Sequence, residues 1–193
     1  MTTAGPAPHI DSKSVGDPAR FVPLDVLSRG LALTSPPIND GRVALVVTRR
    51  DGGRRETPER ILFSPEGGVA GDAWARRQHP HPNAQVTVIQ IDVAALIAND
   101  QPLALFGDNL FLDVDLSREN LAVGTRVRVG AALLDVSPMP HNGCKKFLAR
   151  FGADALEFVS APETRHRNLR GIYMRVIEPG EVAVGDPVHV LRS

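Results

Sequence analysis

Cys144 is the only cysteine among 193 residues, and it lies in Pro140-His141-Asn142-Gly143-Cys144-Lys145-Lys146-Phe147, a turn that runs into a helical stretch. Asn142 suits an N-cap, which would place Cys144 in the first helical turn. Free N–H groups and the positive end of the helix dipole there favour a thiolate. His141, Lys145, Lys146 and Arg150 add positive charge close in sequence. A thiolate is the form that attacks carbon or sulfur and binds soft metals. A free cysteine can equally be a small buried apolar residue, and the segment alone leaves both readings open.

Other segments carry polar groups at suggestive spacings. Arg165, Arg167 and Arg170 fall within six positions ahead of a strand. Guanidinium forks suit phosphate or carboxylate, and Gly171 would let backbone approach a ligand; a solvated basic loop is the alternative. Glu66–Trp74 holds three glycines in five positions and ends in Asp72 and the only tryptophan. It matches neither a dinucleotide fingerprint nor a phosphate loop, and a surface turn explains it as well. In Phe106-Gly107-Asp108-Asn109-Leu110, Asn109 could serve a polar ligand site or hold a turn through its own backbone. His79 and His81 flank Pro80 without further ligands at zinc spacing, so they read as loop residues. No serine elbow of the Gly-x-Ser-x-Gly type occurs.

The formal net charge is zero, which removes the global basic field that gathers a nucleic acid polymer. The distribution is uneven. Residues 42–60 carry six Arg against three acids and residues 141–175 carry seven Lys/Arg against three acids, whereas residues 61–140 hold five basic and nine acidic side chains. If the two basic stretches meet in space, they form an anion pocket.

The elements that must position these residues read as mostly β. Hydrophobic content of 42% with 23% charged residues suits one folded domain with a substantial core. Residues 1–20, rich in Pro, Gly, Ser and Thr without apolar period, read as a flexible leader, with the folded part starting near Phe21. Strands are expected at 42–50, 85–91, 126–137 with a bend at Gly130, and 172–178. Short helices are expected at 93–98 capped by Asp92, at 144–151 stopped by Gly152, and at 153–160. A partial repeat, Ala-Val-Gly-x-x-Val-x-Val, occurs at 122–129 and 183–190 and suits turns entering strands of a barrel. The chain opens without a charged-then-apolar signal, and no apolar run approaches the roughly 18 residues of a membrane span. With one cysteine there is no internal disulfide. These features predict a cytoplasmic protein with no membrane partner.

Taken in order, the segments resemble a MOSC domain, the family named for the C-terminal domain of molybdenum cofactor sulfurase. The resemblance is carried by the Gly-Gly-Val-Ala-Gly-Asp segment ending at Asp72, the Gln85-Val86-Thr87 strand start, Phe106–Leu110 and the strands of 127–137. It continues through the cysteine loop with Arg150-Phe151-Gly152, the Arg170-Gly171 pair and the closing Pro179–Asp186. It spans roughly Val22–Val190, so residues 21–193 are expected to form a single MOSC domain without a second one. The chain departs from the hydroxylaminopurine-resistance and amidoxime-reducing branches in having His141-Asn142-Gly143 before Cys144, where those more often show Arg or Pro-Arg.

The resemblance implies a mainly β fold with a few short helices, a closed or partly closed barrel of the pyruvate kinase β-barrel-like type. It implies a molybdenum-pterin cofactor with Cys144 as metal ligand and catalytic thiolate. Asp72, Asn109 and His141 would line the pocket, His141 with a catalytic role, and Lys145, Arg150, Arg170 and Gly171 would bind the cofactor's phosphate or oxo groups. Pyridoxal phosphate enters by family association only. The activity implied is reduction of N-hydroxylated compounds, with electrons from a separate protein, because one cysteine cannot hold an iron–sulfur cluster. Two alternatives stand beside it: a sulfur carrier or sulfurtransferase using a Cys144 persulfide loaded by a donor protein, and a non-enzymatic anion- or protein-binding β domain whose thiol is buried.

Overall fold

The computed structural model describes residues 10–192. Its strands, in chain order, are β1 (Asp40–Val46), β2 (Thr48–Arg49), β3 (Arg55–Glu56), β4 (Arg60–Ser64), β5 (Gly68–Val69), β6 (Val86–Gln90), β7 (Leu110–Asp113), β8 (Arg126–Val129), β9 (Ala132–Val136), β10 (Ile172–Glu178), β11 (Gly180–Ala183) and β12 (Pro187–Leu191). Three α-helices accompany them: α1 (Leu24–Leu31), α2 (Ile91–Ala98) and α3 (Lys145–Ser160). Seven strands close a barrel in the order β1-β12-β8-β9-β10-β6-β7, and β7 returns to β1. The chain is thus mainly β with few helices, as expected. Neighbours pair antiparallel except β6 and β7, which run parallel. Parallel neighbours need a crossover, and α2 lies within it.

Two cores explain which strands read as continuous apolar runs. Inside the barrel pack Val43, Val86, Val88, Leu110, Leu112, Leu134 and Met174. Outside it, Ile89 and Phe111 from the opposite faces of β6 and β7 meet Leu27, Ile97, Phe147 and Phe151 from the helices. Every residue of β6 is therefore buried, which erases the polar-out alternation of a one-sided strand.

The partial repeat has a structural meaning. Gly124 and Gly185 adopt φ of 85° and 88°, a region that favours glycine. Each opens a turn into β8 or β12, and these two strands pair with Val127 opposite Val190 and Val129 opposite Val188.

Several expected boundaries move. The strand at 42–50 divides into β1 and β2, and the one at 126–137 turns at Gly130, with φ of 54°. The helix at 145–160 is interrupted at Gly152 (φ 86°, ψ 174°), where a stop was expected. α2 starts at Ile91 behind Gln90, so Asp92 sits inside its first turn instead of capping it.

The expected flexible leader differs most. Residues 1–9 lie outside the described residues, but 10–20 pack onto the body. Ile10 is buried in the outer core, and Arg55 donates its backbone N–H to the Ile10 carbonyl at 2.8 Å. Arg150 donates to the carbonyls of Ser14 and Ser12 at 3.3 and 3.2 Å. The segment lacks apolar period because backbone carbonyls, more than side chains, hold it down. No helix among the described residues is long and apolar enough to cross a membrane.

Candidate functional site

Pairing register brings distant segments to one barrel rim. The end of β1 meets the start of β7, Val46 opposite Leu110, and β6 lies beside them, Val88 opposite Leu110. The start of β10 pairs with β6, Ile172 opposite Val88, and the end of β9 with β10, Val136 opposite Met174. The chain following β1, the residues preceding β7 and β10, and the cysteine loop that follows β9 all emerge there.

Asp72 and Asn109, expected to line the pocket, turn out to be fully buried and occupied with protein partners. The Asp72 carboxylate accepts from Arg49 Nη2 at 2.6 Å, Arg49 Nε at 2.9 Å and the Arg49 backbone N–H at 2.8 Å. It also accepts from the Trp74 N–H at 2.9 Å and Asn109 Nδ2 at 3.0 Å. Burial alone would raise this carboxyl, but the hydrogen bonds and charge of Arg49 outweigh it and hold the group below its ordinary range. Asn109 Oδ1 accepts from Arg49 Nη2, Thr87 N and Thr87 Oγ1 at 3.0, 3.2 and 2.9 Å, and its Nδ2 also donates to the Val47 carbonyl at 3.1 Å. Both residues therefore fix the Arg49 guanidinium instead of offering atoms to a ligand.

Arg55 is the group that lacks this support. The β2–β3 ladder sets it directly across from Arg49, an arrangement of like charges that disfavours the pair. Its Nε is buried without a hydrogen-bond partner among the described residues. Burial, followed by the charges of Arg150 and Arg49, lowers its pKa to about 10. Gly107, at φ of 73°, lets the guanidinium lie close: a Cβ there would stand 2.8 Å from Arg55 Nη2. Around this rim four guanidiniums, those of Arg49, Arg55, Arg150 and Arg170, share the two carboxylates of Asp72 and Asp108.

Asp108 anchors the other side. Its carboxylate accepts from Arg170 Nη1 at 2.8 Å and faces His141 Nε2 at 3.6 Å. Burial pushes the Asp108 carboxyl up against the opposing pull of Arg170. His141 packs against Tyr173 with ring centroids 4.5 Å apart and the ring planes tilted by 44°. Burial and then the charges of Arg170 and Arg49 hold its pKa well below the ordinary histidine value, so it stands as a neutral imidazole at neutral pH. Its Nδ1 and the Arg170 Nε are buried without partners among the described residues. The Arg170 guanidinium lies 5.1 Å from the Phe147 ring centroid. Gly171 does not bring backbone to a ligand: at φ of 100°, a Cβ there would stand 2.1 Å from the Val88 carbonyl and 3.3 Å from His141 Nδ1.

Cys144 is exposed, so the reading of a buried, inert thiol does not hold. It occupies the N-cap position of α3 with extended φ and ψ of −140° and 174°, which corrects the expected cap at Asn142. The first turn of α3 contains no acid and begins Lys145-Lys146, so the helix dipole and two ammonium groups concentrate positive potential near the sulfur. Burial lowers the pKa of Arg150, and the proximity of Cys144 offsets part of that fall. Arg150 itself, expected to bind phosphate, spends its donors on Ser12, Ser14 and, at 3.5 Å, the Phe106 carbonyl.

The two basic stretches do meet. A cavity of about 490 Å³ is lined by Arg49, Arg55, Arg76, Arg77 and Lys146 among others. Arg77 and Lys146 make no side-chain hydrogen bond or ion pair among the described residues. Lys145 is exposed, and it is its neighbour Lys146 that reaches the cavity. Lys146 is marked in the sequence as a basic neighbour of Cys144, whereas Arg49 and Arg55 show only as part of the arginine excess at 42–60 and nothing singles out Arg77. A cavity lined mainly by cationic side chains, with an exposed thiol two residues before Lys146, suits a multiply charged group rich in phosphate or oxo oxygens. No group of three or more His, Cys, Asp or Glu among the described residues could hold a metal alone, so a metal here would need a carrier that supplies other ligands.

Comparison with known proteins follows the same line. The MOSC domain model matches residues 75–189, more than half of the chain, and the chain belongs to the MOSC domain family. The match begins just after Asp72, so the Arg49–Asp72 pair and Arg55 lie outside it. Among solved structures, the YuaD protein from Bacillus subtilis is similar at 16% identity with a TM-score of 0.58, over 79% of this chain and 97% of that one. YiiM from Escherichia coli is similar at 21% identity with a TM-score of 0.51, over 79% of this chain and 70% of that one. These likenesses establish the MOSC-type barrel. No functionally curated protein matches the chain significantly.

Proposed function

We propose that this member of the MOSC domain family binds the molybdenum-pterin cofactor at the barrel rim, with Cys144 as a thiolate ligand of the metal. The observation that carries the reading is Arg55, a guanidinium set opposite Arg49, with a buried Nε lacking an acceptor and a pKa lowered to about 10. Four guanidiniums share only the carboxylates of Asp72 and Asp108, a shortage of counter-charge that is costly for partly buried cations, and a bound polyanion supplies the missing charge.

In this reading Arg55, Arg77 and Lys146 hold the cofactor's phosphate. Arg49 presents a guanidinium already oriented by Asp72 and Asn109. The exposed Cys144 presents sulfur, a soft donor, to the metal. When bound, the cofactor supplies a metal centre able to exchange two electrons. Reduction of an N-hydroxyl group to N–H consumes two electrons and two protons and releases water, and that is the activity this reading extends to. The electrons come from a separate protein, since one cysteine cannot hold an iron–sulfur cluster. His141 stays neutral, packed against Tyr173 and outside the lining of the Arg55 cavity.

The test is metal analysis of protein purified from a host that makes the cofactor. Wild type should carry molybdenum and Cys144→Ser should carry far less; equal molybdenum in the two would refute ligation. A wild type without molybdenum that gains the mass of one sulfur on Cys144 from a sulfur donor would instead establish the persulfide carrier, which uses the same exposed thiol.

A further inference from the structure

A second cavity, of about 470 Å³, lies against the residues that precede Cys144 and shares no lining residue with the Arg55 cavity. Its wall includes His141, Asn142 and Gly143, the three residues preceding Cys144, together with Arg118, Arg165 and Arg170. No carboxylate among the described residues lines it. The guanidiniums of Arg118 and Arg165 have no ion pair or hydrogen-bond partner among the described residues. His141 and Arg170 have side chains only 7% and 9% exposed, and each keeps a buried nitrogen without a partner. Three guanidiniums and a neutral imidazole facing a space of small-molecule size form a built anion site.

We propose that the Arg118–Arg165 cavity grips the carboxylate or phosphate of a small organic anion, which is the class of compound presented to Cys144. Assigning that anion as substrate rests on the cofactor reading above; binding of the anion does not. The two cavities divide the work: the Arg55 side takes the cofactor, and the Arg118 side selects what approaches the thiol between them in sequence. An uncharged compound of the same size leaves the guanidiniums unpaired and is bound less well.

The test uses the full chain with benzoate, phenyl phosphate and neutral benzamide as probes, followed by amide NMR and by the rate of Cys144 alkylation. Benzoate or phenyl phosphate should shift the amide signals of Asn142 and Gly143 and slow alkylation, whereas benzamide should do neither. The exposed pair Arg118→Gln/Arg165→Gln should weaken anion binding by roughly tenfold and abolish the protection, while Arg126→Gln, an exposed arginine of β8 that lines neither cavity, should leave both intact. The tighter of the two anions identifies the group carried by the substrate. Equal binding of benzamide, unchanged binding in the double variant, or binding without protection of Cys144 would overturn the proposal. Molybdenum content separates the two readings: molybdenum retained in Cys144→Ser sinks the cofactor reading alone, and a molybdenum-bearing wild type that binds neither anion sinks this one alone.

Discussion

Asp72→Asn keeps the side-chain shape and removes the charge that holds Arg49 in place. Oδ1 accepts from Arg49 Nη2 and Trp74 N, and Oδ2 from the Arg49 N–H, Arg49 Nε and Asn109 Nδ2. Whichever way the new amide turns, its NH₂ faces at least two of these donors. Each buried donor left without an acceptor costs about 1–3 kcal/mol, and breaking one side of a buried ion pair costs about 3–5 kcal/mol in all. For a chain of this size that is a fall in Tm of about 6–20 °C.

A double-mutant cycle with Arg49→Gln should return a coupling of about 2 kcal/mol or more at pH 7. The pH dependence has a definite sign. The Asp72 carboxyl lies below its ordinary value of 3.8 when folded, so its contribution is present above that pH and is lost as pH falls through the lower folded value. The gap between wild type and Asp72→Asn should therefore close in strong acid. A coupling below about 0.5 kcal/mol, the range of exposed pairs, would refute the claim that Asp72 and Asn109 serve Arg49 instead of a ligand.

Three further expectations follow from other parts of the rim. Native Cys144 should react with iodoacetamide about as fast as in urea-unfolded protein, because it is exposed; strong protection in the free protein would contradict its placement. His141 keeps a pKa well below 6.5 when folded, so as pH drops below 6.5 the unfolded chain takes up a proton first. Stability should fall there by about 1.4 kcal/mol per pH unit for this group, and His141→Gln, followed by urea melts at several pH values, should remove that slope. Gly171→Ala should destabilise by about 2–4 kcal/mol in thermal melts, since the added methyl would stand 2.1 Å from the Val88 carbonyl.

Much of the fold was legible because local chemistry dictated it. Gly130 splits β8 from β9, Gly152 interrupts α3, and the glycines of the partial repeat open matched turns into paired strands. The cysteine loop and the meeting of two basic stretches were legible as well. What stayed hidden was the choice among arginines, because folding makes that choice over long separations. Asp72 finds Arg49 at 23 positions and Asn109 at 37, and these bonds turn two expected ligand residues into supports. Arg150 is drawn to carbonyls of residues 12 and 14, a pairing no side-chain pattern announces. Arg55 is singled out only by the cross-strand register that sets it against Arg49.

The central claim is that the Cys144 sulfur is bonded to molybdenum, and molybdenum-edge X-ray absorption of the purified holoprotein tests it most directly. The account predicts one more sulfur neighbour at the metal in wild type than in whatever residual molybdenum Cys144→Ser retains. Identical metal coordination in the two proteins, at equal loading, would contradict it.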